Sequence, residues 1–233
     1  MNYLYLHGFA SGPQSAKAQF LKHQFEQIGQ SLHILDLNQG DFAHLTLTRQ
    51  IQQSRVWITE REVEPESAEI QPVTVIGSSF GGITAAWLAQ QSLARPHIDR
   101  LVLLAPAFQF LDQWLPRLGT DAIEHWQTTG WLSVYHYGEK QQRSLAYNFV
   151  TDAERYDENE LTAAIPTLIV HGQQDEVINI QASRDYAAVR PWVQLVEVPS
   201  DHSLGTAQPM IWQAIQDFLT LPAAIAPELP DHP

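Results

Sequence analysis

The chain of 233 residues predicts an α/β fold, a mostly parallel, doubly wound sheet of about six strands with helices on both faces and a helical cap insertion. Three observations predict it. Apolar, β-type runs at about 2–6, 32–36, 73–77, 100–105, 166–171 and 193–198 alternate with helical stretches, and such alternation places helices against both faces of a parallel sheet. Gly77-Ser78-Ser79-Phe80-Gly81 sits at a strand-to-helix junction. Between Phe108 and Ile165 the alternation stops, and Trp114, Trp126, Trp131, Tyr135, Tyr137, Tyr147 and Phe149 appear among polar residues.

The first strand, Asn2-Tyr3-Leu4-Tyr5-Leu6, breaks at His7-Gly8-Phe9, where glycine permits a tight turn. Gln14 to Ile28 and Leu45 to Glu62 supply the first two helices, and the acidic stretch from Glu60 to Glu69 reads as a solvated helix end and loop. Val73-Thr74-Val75-Ile76 runs into the Gly-rich turn, and a helix-like segment from Gly82 to Leu88 leaves it. A serine at the tip of so sharp a turn needs glycine two residues away on each side, and Gly77 and Gly81 fill those places around Ser79. The strand at 73–77 is expected beside the one at 2–6, with the chain reversing direction across the pair, which is where open parallel sheets bind ligands.

A hydroxyl is a weak nucleophile alone, so a reactive Ser79 requires a base, an acid that orients it and backbone donors for an oxyanion. With this turn the chain order is Ser, then Asp or Glu, then His. Thr167-Leu168-Ile169-Val170-His171-Gly172 reads as a buried strand entering a turn that carries Asp175, the expected acid. Val193 to Val198 alternates as a strand and is followed directly by Pro199-Ser200-Asp201-His202-Ser203, which makes His202 the expected base. The oxyanion donors are expected at the amides of Phe80, which follows the nucleophile, and Phe9, in the loop after the first strand.

Blander readings stand beside these. Ser79 could simply be a small residue in a tight turn, and His202 an ordinary loop histidine. Glu176 adjoins Asp175, and Asp201 adjoins the histidine, although neighbouring side chains in extended chain diverge. His7 is expected to brace its own turn, His171 to be structural and Ser78 to face elsewhere. The aromatics of residues 109–160 either line an acyl pocket or form a small core of their own.

These residues resemble the α/β-hydrolase superfamily, and more narrowly the small bacterial YqiA/YcfP-type esterases. The narrower likeness rests on Leu4-Tyr5-Leu6-His7-Gly8-Phe9 followed by Ser11-Gly12-Pro13-Gln14-Ser15-Ala16-Lys17-Ala18, on Ile76 to Gly82, on Asp175-Glu176-Val177 and on the Asp201-His202 loop. It extends over nearly the whole chain, with residues 109–160 matching poorly. The resemblance implies hydrolysis of acyl esters, thioesters included, by a serine esterase with no metal and no organic cofactor. A prolyl-type peptidase and a carbon–carbon bond hydrolase use the same triad, and a binding protein that has lost turnover is the reading from a different class.

Composition agrees. A hydrophobic content of 44% and 17% charged residues fit one α/β domain over 1–221, carrying the 109–160 insertion, with a proline-rich, flexible tail at 222–233. The formal net charge is −13 and Lys17, Lys22 and Lys140 are the only lysines, so attraction to nucleic acid or an anionic bilayer is lacking. Zero cysteines fit a reducing compartment, no run approaches a membrane span and the first strand starts at residue 2. A cytoplasmic protein acting on a small-molecule acyl ester or thioester is expected, with no nucleic acid and no membrane insertion.

Overall fold

A computed structural model describes residues 2–60, 72–91 and 97–222. The elements run β1 (Asn2–Leu6), α1 (Ala16–Gln27), β2 (Leu32–Leu35), α2 (Leu47–Glu60), β3 (Val73–Ser78), α3 (Phe80–Gln90), β4 (Ile98–Leu104), α4 (Phe110–Leu118), α5 (Thr120–Thr129), β5 (Trp131–His136), β6 (Gln141–Ala146), α6 (Asn148–Ala153), β7 (Thr167–Gly172), α7 (Ile180–Ala188), β8 (Val193–Val198) and α8 (Gln208–Leu219). Six strands form one parallel sheet in the order β2-β1-β3-β4-β7-β8. The chain therefore winds outward from β1 to β2, returns past β1 to β3 and winds the other way, which puts the reversal between β1 and β3. Most of the acidic stretch and all but the first residue of the expected tail lie outside the described residues.

Side chains alternate across the strands, and each face buries its own set. Leu4, Leu6, Val75, Leu101, Leu103 and Ile169 pack on one face against Ile51 and Ile58 of α2 and Ala85 and Leu88 of α3. Tyr3, Tyr5, Ile76, Val102, Leu104 and Val170 pack on the other against Leu21 and Phe25 of α1 and Ile211 and Ile215 of α8. The apolar runs of the sequence are thus buried on both faces, as a central parallel strand requires.

The expected helical insertion contains α4, α5 and α6, together with an antiparallel hairpin, β5–β6, that the sequence reading did not foresee. Its aromatics differ in burial. Trp126 and Phe149 are fully buried, with the Trp126 indole donating to the Leu145 carbonyl at 2.9 Å, so they form core. Trp131, Tyr135 and Tyr137 are exposed on the hairpin and its turn, and Trp114 and Tyr147 are half-buried. Asp152 of α6 fastens the insertion to α2: its carboxylate accepts from the Thr48 N–H at 2.9 Å and the Thr48 hydroxyl at 2.6 Å, capping the first turn of that helix.

A second fastening closes the neck of the insertion. Glu158 accepts from the Gln109 N–H at 2.6 Å, joining the residue before α4 to the segment that returns toward β7. Burial is the first influence on the Glu158 carboxyl and raises it to about 7, against the pull of that hydrogen bond. The folded protein therefore binds a proton here between roughly pH 4.3 and 7 that the unfolded chain does not, and this carboxyl makes stability fall as pH rises through that window. Glu158→Gln keeps an acceptor for Gln109 and removes the partly buried charge. Urea midpoints measured from pH 5 to 8 should rise for the variant relative to wild type as pH increases; a constant difference would contradict the assignment.

Candidate active site

β3 ends at Ser78 and α3 begins at Phe80, so Ser79 alone makes the turn. It does so at φ 52° and ψ −119°, a left-handed conformation that costs a non-glycine residue about 1–3 kcal/mol. The surrounding backbone fixes it: Ser79 N–H donates to the Leu104 carbonyl at 2.9 Å, while its own carbonyl accepts from Gly82 at 2.8 Å and Ala107 at 3.0 Å. The two flanking glycines are required for different reasons. A Cβ on Gly77 would overlap the Gly81 carbonyl, and one on Gly81 would overlap the Leu6 carbonyl at the end of β1. Ser78 turns away from Ser79, its hydroxyl bonding the buried Tyr5 phenol, which also bonds Ser15.

Ser79 Oγ lies 3.0 Å from His202 Nε2, and His202 Nδ1 lies 2.7 Å from Asp175 Oδ2. Three stretches 123 and 27 residues apart in sequence thus meet in one line. The imidazole is partly exposed at 17%, whereas the Asp175 side chain is wholly buried. A carboxylate can only accept, so the His202 proton sits on Nδ1 and Nε2 presents its lone pair to the serine hydroxyl.

Burial by itself would raise the Asp175 carboxyl, but the bonds from His171, His202 and the Ile178 N–H outweigh it and hold the group well below the usual carboxylate range. Oδ1 accepts from the Val177 and Ile178 amides, both at 2.8 Å. His171 is more closely involved than the sequence suggested. Its Nε2 faces two acceptors, Asp175 Oδ2 at 3.0 Å and the Ile178 carbonyl at 3.1 Å, and must carry a proton, while Nδ1 pairs with the Ser183 hydroxyl at 2.7 Å. The signal was the four-residue spacing across the turn, His171-Gly172-Gln173-Gln174-Asp175, which sequence alone could not orient.

Neither rival carboxylate reaches the imidazole in this way. Glu176 accepts instead from the His202 main-chain N–H at 3.3 Å, and Asp201 accepts from the Ser203 hydroxyl at 2.6 Å.

The loop after β1 comes against the turn: a Cβ on Gly8 would stand 3.2 Å from Ser79 Cβ. His7 braces this loop as expected, with Nδ1 donating to the Gly8 carbonyl and Nε2 accepting from the Leu37 N–H, each at 2.9 Å. Phe9 follows, its ring 6.2 Å from that of Phe80 and within 5.2 to 5.8 Å of Phe42, Phe110, Trp114 and Phe149. Phe80 is the first residue of α3, so its N–H has no acceptor within the helix. Among the described residues no helix is long and apolar enough to cross a membrane.

The fold recurs in solved structures. Est1E from Butyrivibrio proteoclasticus, in complex with ferulic acid, is similar with a TM-score of 0.76 and 20% identity over 94% of this chain and 87% of its own. The alpha/beta hydrolase domain-containing protein 10 from mouse has a TM-score of 0.72 and 19% identity, covering 94% of this chain and 89% of that one. The Pyrococcus furiosus esterase Pf2001 has a TM-score of 0.65 and 14% identity, covering 94% and 82%. No curated protein matches the chain. The fold is thus that of the α/β hydrolases, and because residues 2–220 match the model described as Uncharacterised protein family (UPF0227), the chain belongs to that family.

Proposed function

We propose that the protein is a serine hydrolase that cleaves carboxylic esters, thioesters included, through an acyl-enzyme intermediate. The observation that carries this reading is the unbroken hydrogen-bonded line Ser79–His202–Asp175, built on a strained turn at the carboxyl ends of the parallel strands, beside the reversal between β1 and β3. Ser79 Oγ attacks the acyl carbonyl as its proton passes to His202 Nε2. Asp175 holds the imidazole in the reactive tautomer and stabilises its cationic form. The Phe9 and Phe80 amides receive the oxyanion. His202 then gives its proton to the departing alcohol or thiol. Water, deprotonated by the same nitrogen, attacks the acyl-enzyme and frees the acid and Ser79 together. No step calls for a metal or an organic cofactor.

The reading of a small-molecule substrate draws on the esterases that share the fold, and on the half-buried rings of Phe9 and Trp114 beside the turn, which offer an apolar wall to an acyl or alcohol group. With no basic cluster in the described fold and a net charge of −13, a nucleic-acid substrate is disfavoured.

A fluorophosphonate probe should label Ser79, and p-nitrophenyl esters of graded chain length, aromatic acyl esters and acyl-CoAs should be hydrolysed faster than aminoacyl anilides. Ser79→Ala and His202→Ala should each lower kcat by about 10⁴-fold or more while circular dichroism and melting stay close to wild type. Undiminished turnover in folded Ser79→Ala would sink the assignment.

The depressed Asp175 carboxyl has a separate consequence for stability. Below pH ~4 the unfolded chain takes up a proton at this position while the folded protein does not, so its contribution is present above that pH and lost as pH falls toward the folded value. Asp175→Asn should lose activity at every pH. Its unfolding free energy should also decline less steeply than that of wild type between pH 5 and 2, measured by urea titration; parallel declines would mean that Asp175 is not held ionised.

A further inference from the structure

We propose that Lys17, acting with Glu176, is a positioning residue for the hydrolysis assigned above, clamping the main chain of His202 so that its imidazole reaches Ser79. The inference rests on that serine-hydrolase reading and concerns how the base is held. His202 lies between β8 and α8 in a loop, Pro199 to Leu204, with no regular secondary structure, yet its ring must meet two partners at fixed distances. The backbone of the residue is held from both sides by side chains of opposite charge. Its N–H donates to Glu176 Oε2 at 3.3 Å, and its carbonyl accepts from Lys17 Nζ at 3.2 Å. Each charge meets the end of the peptide dipole that it stabilises.

The two holders come from different parts of the fold. Glu176 follows the residue assigned as the acid, so the turn that supplies Asp175 to the ring also supplies an acceptor to its backbone. Lys17 lies in the first turn of α1, 185 residues away in sequence, just beyond the loop that carries Phe9. It therefore ties the base loop to the element that follows the proposed oxyanion loop. A charge-assisted bond is the stronger kind and keeps its strength when substrate excludes water. An angular error in a loop of this sort is amplified at the ring, and a misplacement of about 1 Å can cost about 100-fold in rate.

The environment of Lys17 supports the role. Burial lowers its ammonium to about 8, against the opposing fields of Asp175, from the β7–α7 turn, and Asp201, from the base loop itself. Near neutral pH it is charged; above about pH 8 it becomes a neutral and weaker donor to the His202 carbonyl. Lys17 and Lys22 share α1, but Lys22 pairs at the surface with Glu26 one turn on.

The test compares wild type with Lys17→Met and Lys17→Arg in p-nitrophenyl ester hydrolysis and in the rate of fluorophosphonate labelling, from pH 6 to 10. Wild type should lose kcat along an alkaline limb near pH 8. Lys17→Met should lower kcat at pH 7 by about 10- to 100-fold with KM within about twofold, and show no such limb. Lys17→Arg, which stays charged throughout, should recover most of the kcat lost in the methionine variant and also lack the limb. Folded Lys17→Met with wild-type kcat and pH profile would overturn the proposal. If that variant does not fold, the arginine variant decides, since an alkaline limb unchanged from wild type would overturn it equally. Wild-type protein that neither labels at Ser79 nor hydrolyses any ester would refute the hydrolase reading and this proposal together, whereas labelling that Lys17→Met leaves undiminished refutes this proposal alone.

Discussion

Ser79 occupies a backbone conformation that a side chain makes unfavourable, and much of the molecule around it serves to hold it there. The strain of about 1–3 kcal/mol is a sizeable part of the 5–15 kcal/mol by which domains are stable, so it persists only where neighbouring elements over-determine it. They do so here from three sides. β4 accepts the Ser79 N–H through Leu104, and the segment after β4 donates to its carbonyl through Ala107. β1 presses so closely on α3 that Gly81 has no room for a Cβ beside Leu6. The order β2-β1-β3-β4 is what places β1 and β4 on either side of β3, so the sheet topology and the serine's geometry are one constraint.

The second condition is a buried anion in a chain already strongly acidic. Long-range charge works against Asp175, and burial adds to the penalty; local donors reverse the balance. Two amides fix Oδ1, and two imidazoles approach Oδ2. This arrangement separates holding the carboxylate from using it. The Val177 and Ile178 amides and His171 satisfy it without leaving the β7–α7 region, which leaves one remaining direction, toward His202, to carry the orienting bond.

What the sequence revealed was local, and what it concealed depended on orientation. The buried strands were readable because a strand covered on both faces needs a nearly continuous run of apolar and β-branched residues, as in Val73–Ile76 and Thr167–Val170. The turn at Ser79 was readable because glycine is demanded at fixed offsets. Residues 131–146 were harder: β5 alternates, but its outward positions carry Trp131 and Tyr135, 45% and 44% exposed, so polarity does not mark the solvent face. Chain order and the turn after the strand favoured Asp175 over Glu176 and Asp201, but spacing alone could not orient any of the three side chains toward the histidine. The packing of His171 on Asp175 was hidden for the same reason. The contact of Lys17 with His202 joins residues near opposite ends of the chain, and no local pattern records it.

The insertion bears on the site through one side chain. Phe9, whose amide is assigned to the oxyanion, packs its ring against Phe42, between β2 and α2, and Phe80 of α3, and against Phe110, Trp114 and Phe149 of the insertion. The hairpin reaches the same loop one residue later, where the Tyr137 N–H donates to the Ala10 carbonyl at 2.7 Å. A backbone donor is only as well placed as the loop that carries it, and this loop is gripped on its side-chain face by aromatic packing and on its backbone by the hairpin turn. The insertion is in turn pinned by Asp152 to α2 and closed at its neck by Glu158. Any change that loosens these pins acts on the Phe9 amide before it reaches Ser79, because Ser79 is held by the sheet and Phe9 in part by the insertion. The proposed oxyanion donor and the proposed nucleophile therefore rest on separable supports in this fold.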